Sequence, residues 1–382
     1  MRKYPVGIQS FEELRKGNYV YVDKTALIYR LVESGKYYFL SRPRRFGKSL
    51  LVSTLEAYFQ GKKELFGGLA MERLEDEWAE YPVLHVDLNT KKYENHSSLD
   101  EILNQHLEKW EAVYGDEKND RSPEERFSYI IEKISSVTGR NVVILIDEYD
   151  KPMLQAIGNE ELLADYRNTL KAFYGVMKSC DSYIKFALLT GVTKFSKFSV
   201  FSDLNNLMDI SLSDRFANIC GITEEELYRD FREDILELGQ RNGMGEKETK
   251  TALKERYDGY HFVKDGDDIY NPFSLLNTFA EMKFGSYWFE TGTPTFLVKL
   301  LQHSGYDLQQ LAKEMASVDS LGGIDHMNTN PVPILYQSGY LTIKGYDSEF
   351  QVYYLGFPNQ EVEEGFTRFL LPCYAHLETG NP

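Results

Sequence analysis

"NVVILIDEYD", residues 141–150, runs through five apolar residues, Val142 to Ile146, and then stops on Asp147 and Glu148. An uninterrupted apolar run of this length, rich in β-branched residues, reads as a strand buried on both faces, the kind found in parallel sheets. A core strand tipped by two solvated acids would explain it equally well. The choice depends on a second stretch upstream.

That stretch is "SRPRRFGKSL", residues 41–50. The short apolar run "YYFL" (37–40) precedes it, and the helical pattern "KSLLVSTLEAYF" (48–59) follows. Strand, glycine-containing loop and helix start are the three parts a phosphate-binding loop needs. Backbone N–H groups converge on phosphate oxygens, and the helix dipole favours the anion. Within it, residues 44–50 (Arg44, Arg45, Phe46, Gly47, Lys48, Ser49 and Leu50) are the expected nucleotide contacts, with Lys48 on the β/γ-phosphates and Ser49 on Mg²⁺. Asp147 then orients Mg²⁺ and Glu148 polarises the attacking water. Each segment alone has a bland explanation; the pair, in this order and about a hundred residues apart, does not.

Arg42 stands where such a loop usually carries its first glycine. Pro43 accounts for this, because proline pushes the preceding residue toward extended backbone, so Arg42 can continue the strand without a positive φ. A glutamate directly after the strand-end aspartate points to P-loop proteins with an extra strand between those bearing the loop and the acids. "YIKFALLT" (183–190) suits that strand, and Thr190 at its end is the expected holder of the lytic water, with Thr193 as second choice. Lys194, Lys197 and Arg215 read mainly as a solvated basic face, with charge supplied to the leaving phosphates as the other reading.

"PVLHVDL" (82–88) completes the set of strand candidates, and helical spacing lies between them, the pattern of an α/β layer protein. Capping signals occur at Ser10 with Glu13, at Asp23, at Ser122 with Pro123 and Glu125, and at Thr223 with Glu226. After Gly221 the chain reads mostly helical, and "GYLTIKGYDSEFQVYYLGFP" (339–358) reads as a hairpin.

Composition bounds the rest. The 382 residues are enough for two or three domains. With 43 Lys and Arg against 59 Asp and Glu, the net charge of −16 argues against a chain that coats nucleic acid. Three separated cysteines suit a reducing compartment, no apolar run approaches a membrane span, and a cytoplasmic protein is expected. The seven histidines show no metal-binding spacing, and His261 reads as packing and hydrogen bonding.

The motifs "YVDKT" (21–25), "RPRRFGKSLL" (42–51), "ILIDEYDKP" (144–152), "LLTGV" (188–192), "CGITEEEL" (220–227), "YDGYHF" (257–262), "YNPFSLLN" (270–277), "TGTPTFL" (291–297) and "LYQSGYLTIKGYD" (335–347) resemble the bacterial AAA-ATPase-like family over nearly the whole chain. In that family the loop reads Arg-Pro-Arg-Arg-Phe-Gly-Lys. The resemblance implies an α/β P-loop NTPase with a three-layer α/β/α core and a mainly parallel sheet, followed by a helical lid and a winged-helix-like region. The expected divisions are 1–220 for the core, 221–300 for the lid and 301–382 for the winged-helix-like region and C-terminal helix. It keeps Lys48, Ser49, Asp147 and Glu148 in the roles above and puts Gly292 and Pro294 in the lid.

Many members carry a PD-(D/E)xK-type nuclease domain. Here only a short amphipathic segment with Phe366, Phe369 and Leu370 follows "FPNQEV" (357–362), so no nuclease activity is expected. The expected function is a Mg²⁺-dependent ATPase used as a slow conformational switch, with a protein partner or self-association. Two alternatives stay open: a non-hydrolysing nucleotide-binding scaffold, and a nucleic-acid-binding regulator. Against the latter, residues 295–320 offer only Lys299 and Lys313 as a basic recognition helix.

Overall fold

The structure is a computed structural model, and it describes residues 2–115, 121–195, 200–201, 204, 206–290, 295–304, 315–321 and 330–370. The chain divides into two compact units. One consists of Asp23–Ser41 and Leu51–Ile210; the other consists of Met1–Val22, Arg42–Leu50 and Ser211–Pro382.

The first unit is built on a five-stranded parallel sheet: β1 (Tyr37–Ser41), β2 (Val83–Asp87), β3 (Val142–Asp147), β4 (Ile184–Gly191) and β5 (Met208–Asp209). The order across the sheet is β2-β3-β4-β1-β5. The strand expected between β1 and β3 is therefore present, and it is β4. All six residues of β3 are buried, which requires cover on both faces and explains the continuous apolar run that encodes it. Helices Lys48–Phe59, Ser97–Tyr114, Pro123–Thr138 and Glu160–Ser179 make the crossovers. In the last two, Ile130, Ile131 and Ile134, and Leu170, Phe173 and Tyr174, form the buried stripes.

Because the strands are parallel, their C-terminal ends share one edge. Asp87 is paired with Asp147, Leu40 with Thr190 and Ser41 with Gly191. In open α/β sheets that edge is where ligands bind.

Several caps stand as the sequence suggests. Glu13 N–H donates to the Ser10 hydroxyl at 3.2 Å, and Thr223 and Glu226 exchange bonds of 2.9 and 3.2 Å. Asp23 differs. The helix Thr25–Ser34 has Lys24 at its N-cap, and Asp23 instead accepts from the Thr25 N–H (2.9 Å) and hydroxyl (2.6 Å). Its other oxygen takes the Ala70 N–H at 2.7 Å, so one carboxylate secures two helix starts.

In the second unit the helices Glu224–Asp230, Arg232–Asn242, Glu246–Tyr257 and Pro272–Glu281 enclose a core that includes Leu227, Phe231, Leu238, Leu253, Leu275 and Phe279. A small pairing of β6 (Ile222–Thr223) with β7 (Ile269–Tyr270) borders it. Further along, β8 (Met315–Ser317), β9 (Thr342–Asp347) and β10 (Val352–Gly356) make an antiparallel sheet in which β9 and β10 are the hairpin read from the sequence.

Candidate functional site

Residues 42–50 belong to the unit that contains Ser211–Pro382, and that unit holds Arg42, Arg44, Arg45 and Phe46. Arg42 is buried, 1% exposed. Its guanidinium donates to the carbonyls of Ser211 (2.8 Å), Ala217 (3.3 Å) and Phe216 (3.5 Å) and lies 4.2 Å from the centre of the Phe262 ring. Its φ is not positive, in keeping with the effect of Pro43. The left-handed residues of the loop are Arg45 (φ 67°) and Gly47 (φ 92°).

The other loop residues are held as firmly. Trp288 Nε1 donates to the Arg44 carbonyl at 3.2 Å, and the Arg45 guanidinium lies 4.8 Å over Phe273. The Phe46 carbonyl accepts the Gly221 N–H at 3.1 Å, and its ring meets Tyr260 and Phe262 edge-on at 4.7 and 5.7 Å. Lys48 is 4% exposed, and its ammonium donates to the loop's own carbonyls, Arg42 at 3.0 Å and Pro43 at 3.2 Å. A Cβ on Gly47 would meet nothing within 4 Å. The chain thus turns beside open space immediately before the twelve-residue helix Lys48–Phe59, whose first N–H groups have no partner within the helix. Open space, a helix start and a cation fit a phosphate group. Ser49 and Leu50, in the first turn, are half-buried.

The acidic residues lie in the sheet unit. Asp147 ends β3 and is 5% exposed. Its Oδ1 accepts the Thr190 hydroxyl at 2.6 Å and the Glu148 N–H at 3.0 Å, which leaves Oδ2 without a hydrogen bond among the described residues. Glu148 is half-buried and has φ 55°, a conformation that costs a non-glycine residue about 1 kcal/mol or more. A carboxylate oxygen left without a hydrogen bond at a sheet edge fits the hydrated shell of Mg²⁺, which keeps several of its waters. Among the described residues no group of three or more His, Cys, Asp or Glu could hold a metal by itself.

The two threonines at the end of β4 have different partners. The Thr190 hydroxyl goes to Asp147, whereas Thr193 donates both its N–H and its hydroxyl to Asp150 Oδ2, each at 2.6 Å. The Val192 N–H reaches the same oxygen at 3.1 Å. Beside it, the Tyr149 hydroxyl donates to the Thr193 carbonyl at 3.0 Å and accepts the Phe195 N–H at 3.1 Å. Complete burial pushes the Tyr149 phenol far above its ordinary pKa, so it works as a neutral donor. The sequence reading used Asp147 and Glu148 but missed Tyr149 and Asp150, whose partners lie some forty positions downstream.

Other expectations are modified. Lys194 is not on a solvated face: it pairs with Asp209 of β5, with side-chain exposures of 16% and 20%. Arg215 lies 5.4 Å from the Phe216 ring centre. Lys197, Gly292 and Pro294 fall outside the described residues. His85 on β2 has a charge environment that its spacing did not announce. Burial lowers its pKa, but the Glu56 hydrogen bond (3.0 Å) and the carboxylates of Asp147 and Asp87 outweigh this and raise it. His261 is held by Asp268 at 3.0 Å and by the Lys264 carbonyl at 3.3 Å, a hydrogen-bonding role.

Comparison with known proteins bears on this geometry. A family model described as a predicted AAA-ATPase matches residues 5–201. A protein of Azotobacter chroococcum mcd 1, described as an uncharacterized protein in the vnfD 5' region, is 37% identical over 377 residues, spanning 98% of this chain and 70% of that relative. Among solved structures, the ORC2 protein of Aeropyrum pernix in ADPNP–ADP complexes is similar over 92% of this chain and 93% of its own, at 11% identity. Its TM-score is 0.23. No helix among the described residues is long and apolar enough to cross a membrane.

Proposed function

This chain belongs to the AAA-ATPase-like family, and from that membership we propose that it binds and slowly hydrolyses ATP with Mg²⁺, using the nucleotide to change the conformation of its C-terminal region. The observation that carries the proposal is the strand order. β4 stands between β1, which runs directly into residues 42–48, and β3, which ends on Asp147 and Glu148. In this reading the ends of β1, β3 and β4 serve one ligand.

The roles follow from chemistry. The Lys48 ammonium exchanges the carbonyls of Arg42 and Pro43 for β/γ-phosphate oxygens, while Gly47 and the loop residues Arg44, Arg45 and Phe46 present backbone N–H groups. Ser49 in the loop segment and Asp147 at the end of β3 are the residues that would hold Mg²⁺, which would neutralise phosphate charge. Glu148 accepts hydrogen bonds from the attacking water and draws off its proton. Thr190 keeps the Asp147 carboxylate in one rotamer.

The switch has support of its own. Any rearrangement of residues 42–48 on binding disturbs the bonds they make to Ser211, Ala217, Gly221 and Trp288, all within one unit. Slow turnover and a lasting bound state suit such a latch better than bulk hydrolysis. Glu148→Gln tests the proposal: ATP binding is expected to persist while phosphate release falls at least a hundredfold, on the order of the loss of a general base. Phosphate release unchanged in that variant, or absent in the wild type, would leave a nucleotide-binding scaffold instead.

A further inference from the structure

We propose that Asp150 is a positioning residue for hydrolysis, acting through Thr190; this rests on the ATPase reading above. Asp150 is completely buried, and its carboxylate is the meeting point of the turn that follows β4. Three donors reach Oδ2: the Val192 N–H, the Thr193 N–H and the Thr193 hydroxyl. The Tyr149 N–H donates to the Thr190 carbonyl at 3.0 Å, and the Tyr149 hydroxyl bridges the Thr193 carbonyl and the Phe195 N–H. Residues 190 to 195 are in this way stitched to residues 149 and 150, one turn beyond Asp147.

The fit is also steric. A Cβ on Gly191 would lie 2.6 Å from both Asp150 Oδ1 and a Tyr149 ring carbon, so the chain passes the carboxylate at a distance only glycine permits. Apolar packing would join two strand ends at lower desolvation cost than a buried anion. A buried carboxylate saturated with charge-assisted hydrogen bonds fixes direction as well as contact. The direction fixed here is that of β4's last residues, and so of the Thr190 hydroxyl that meets Asp147 Oδ1. A displacement of about 1 Å at such a place can cost about a hundredfold in rate.

The test is a double-mutant cycle on ATP turnover by the full chain, using Asp150→Asn, Thr190→Ala and the double variant. Active fraction is normalised by titration with a non-hydrolysable ATP analogue. Asp150→Asn is expected to lower kcat by about ten- to a hundredfold with KM for ATP within about threefold. The double variant should be no slower than Thr190→Ala by more than about twofold, because both changes remove one pathway of action. A bystander role in stability predicts an unchanged kcat per active site in Asp150→Asn, and an effect independent of Thr190 predicts losses that multiply; either result overturns the inference while leaving the ATPase reading intact. Should Asp150→Asn not fold, Thr193→Val removes a single donor at constant shape and must show the same non-additivity. A wild type without turnover overturns the parent reading and this one together.

Discussion

Replacing Arg42 with glycine would restore the residue that phosphate loops usually carry at that position, and it is expected to damage the protein. The guanidinium is buried, bonded at 2.8 Å to the Ser211 carbonyl and less closely to those of Ala217 and Phe216, and stacked 4.2 Å from the Phe262 ring centre. A charge-assisted hydrogen bond contributes about 1.5–3 kcal/mol and a desolvated cation–π contact about 2. Removing the side chain also strands carbonyls that no water replaces at once, and it leaves a cavity. Partial relaxation offsets some of this, so a destabilisation of about 4 kcal/mol is expected for the unit that holds the loop. Urea unfolding followed by circular dichroism and tryptophan emission measures it. Arg42→Lys should recover little, since an ammonium cannot span three carbonyls or stack in the same way. An Arg42→Gly protein as stable as wild type, with ATP affinity equal or higher, would refute the reasoning that the arginine is a strut.

Two further outcomes follow from the geometry. Asp258 is 2% exposed, and burial, reinforced by Asp268 and opposed by the Gly259 N–H and Lys254, raises its carboxyl from the ordinary 3.8 to about 7. Below about pH 4 both states are protonated; between there and about pH 7 the unfolded chain ionises while the folded one resists, so stability is lost as pH rises. Asp258→Asn should therefore gain up to about 4 kcal/mol at pH 8 and nothing near pH 4, and a gain independent of pH in paired urea titrations would contradict it. Gly191→Ala drives a methyl to 2.6 Å from Asp150 Oδ1 and Tyr149, which should cost about 1–3 kcal/mol by the same assay; an unchanged unfolding midpoint would show that the turn yields freely.

Much of the sheet was legible because buried parallel strands need apolar runs of strand length. The four runs beginning near residues 37, 82, 142 and 183 meet that need, and all four are strands. β5 escaped notice because two residues, Met208 and Asp209, leave no pattern to read. Pro43 explained how an arginine could replace glycine, but not where the guanidinium would go. Its acceptors lie about 170 positions downstream, and no local rule reports a contact that long-range packing creates. The same limit hid Asp150: "IDEYD" announced acids at a strand end, yet which acid meets Thr190 and which meets Thr193 depends on the register of β3 against β4. Asp23 stands one residue ahead of the N-cap Lys24, and its bond to the Ala70 N–H is another long-range contact that no local rule reports.

The central claim, that residues 42–50 bind the phosphates of Mg²⁺–ATP through Lys48, is tested most directly by melting curves of wild type and Lys48→Ala with and without Mg²⁺–ATP. At ligand a hundredfold above Kd, wild type should gain about 2.7 kcal/mol, visible as a rise of several degrees in Tm, and Lys48→Ala should gain nothing. Equal shifts in the two proteins, or no shift in wild type at millimolar nucleotide, would contradict the account.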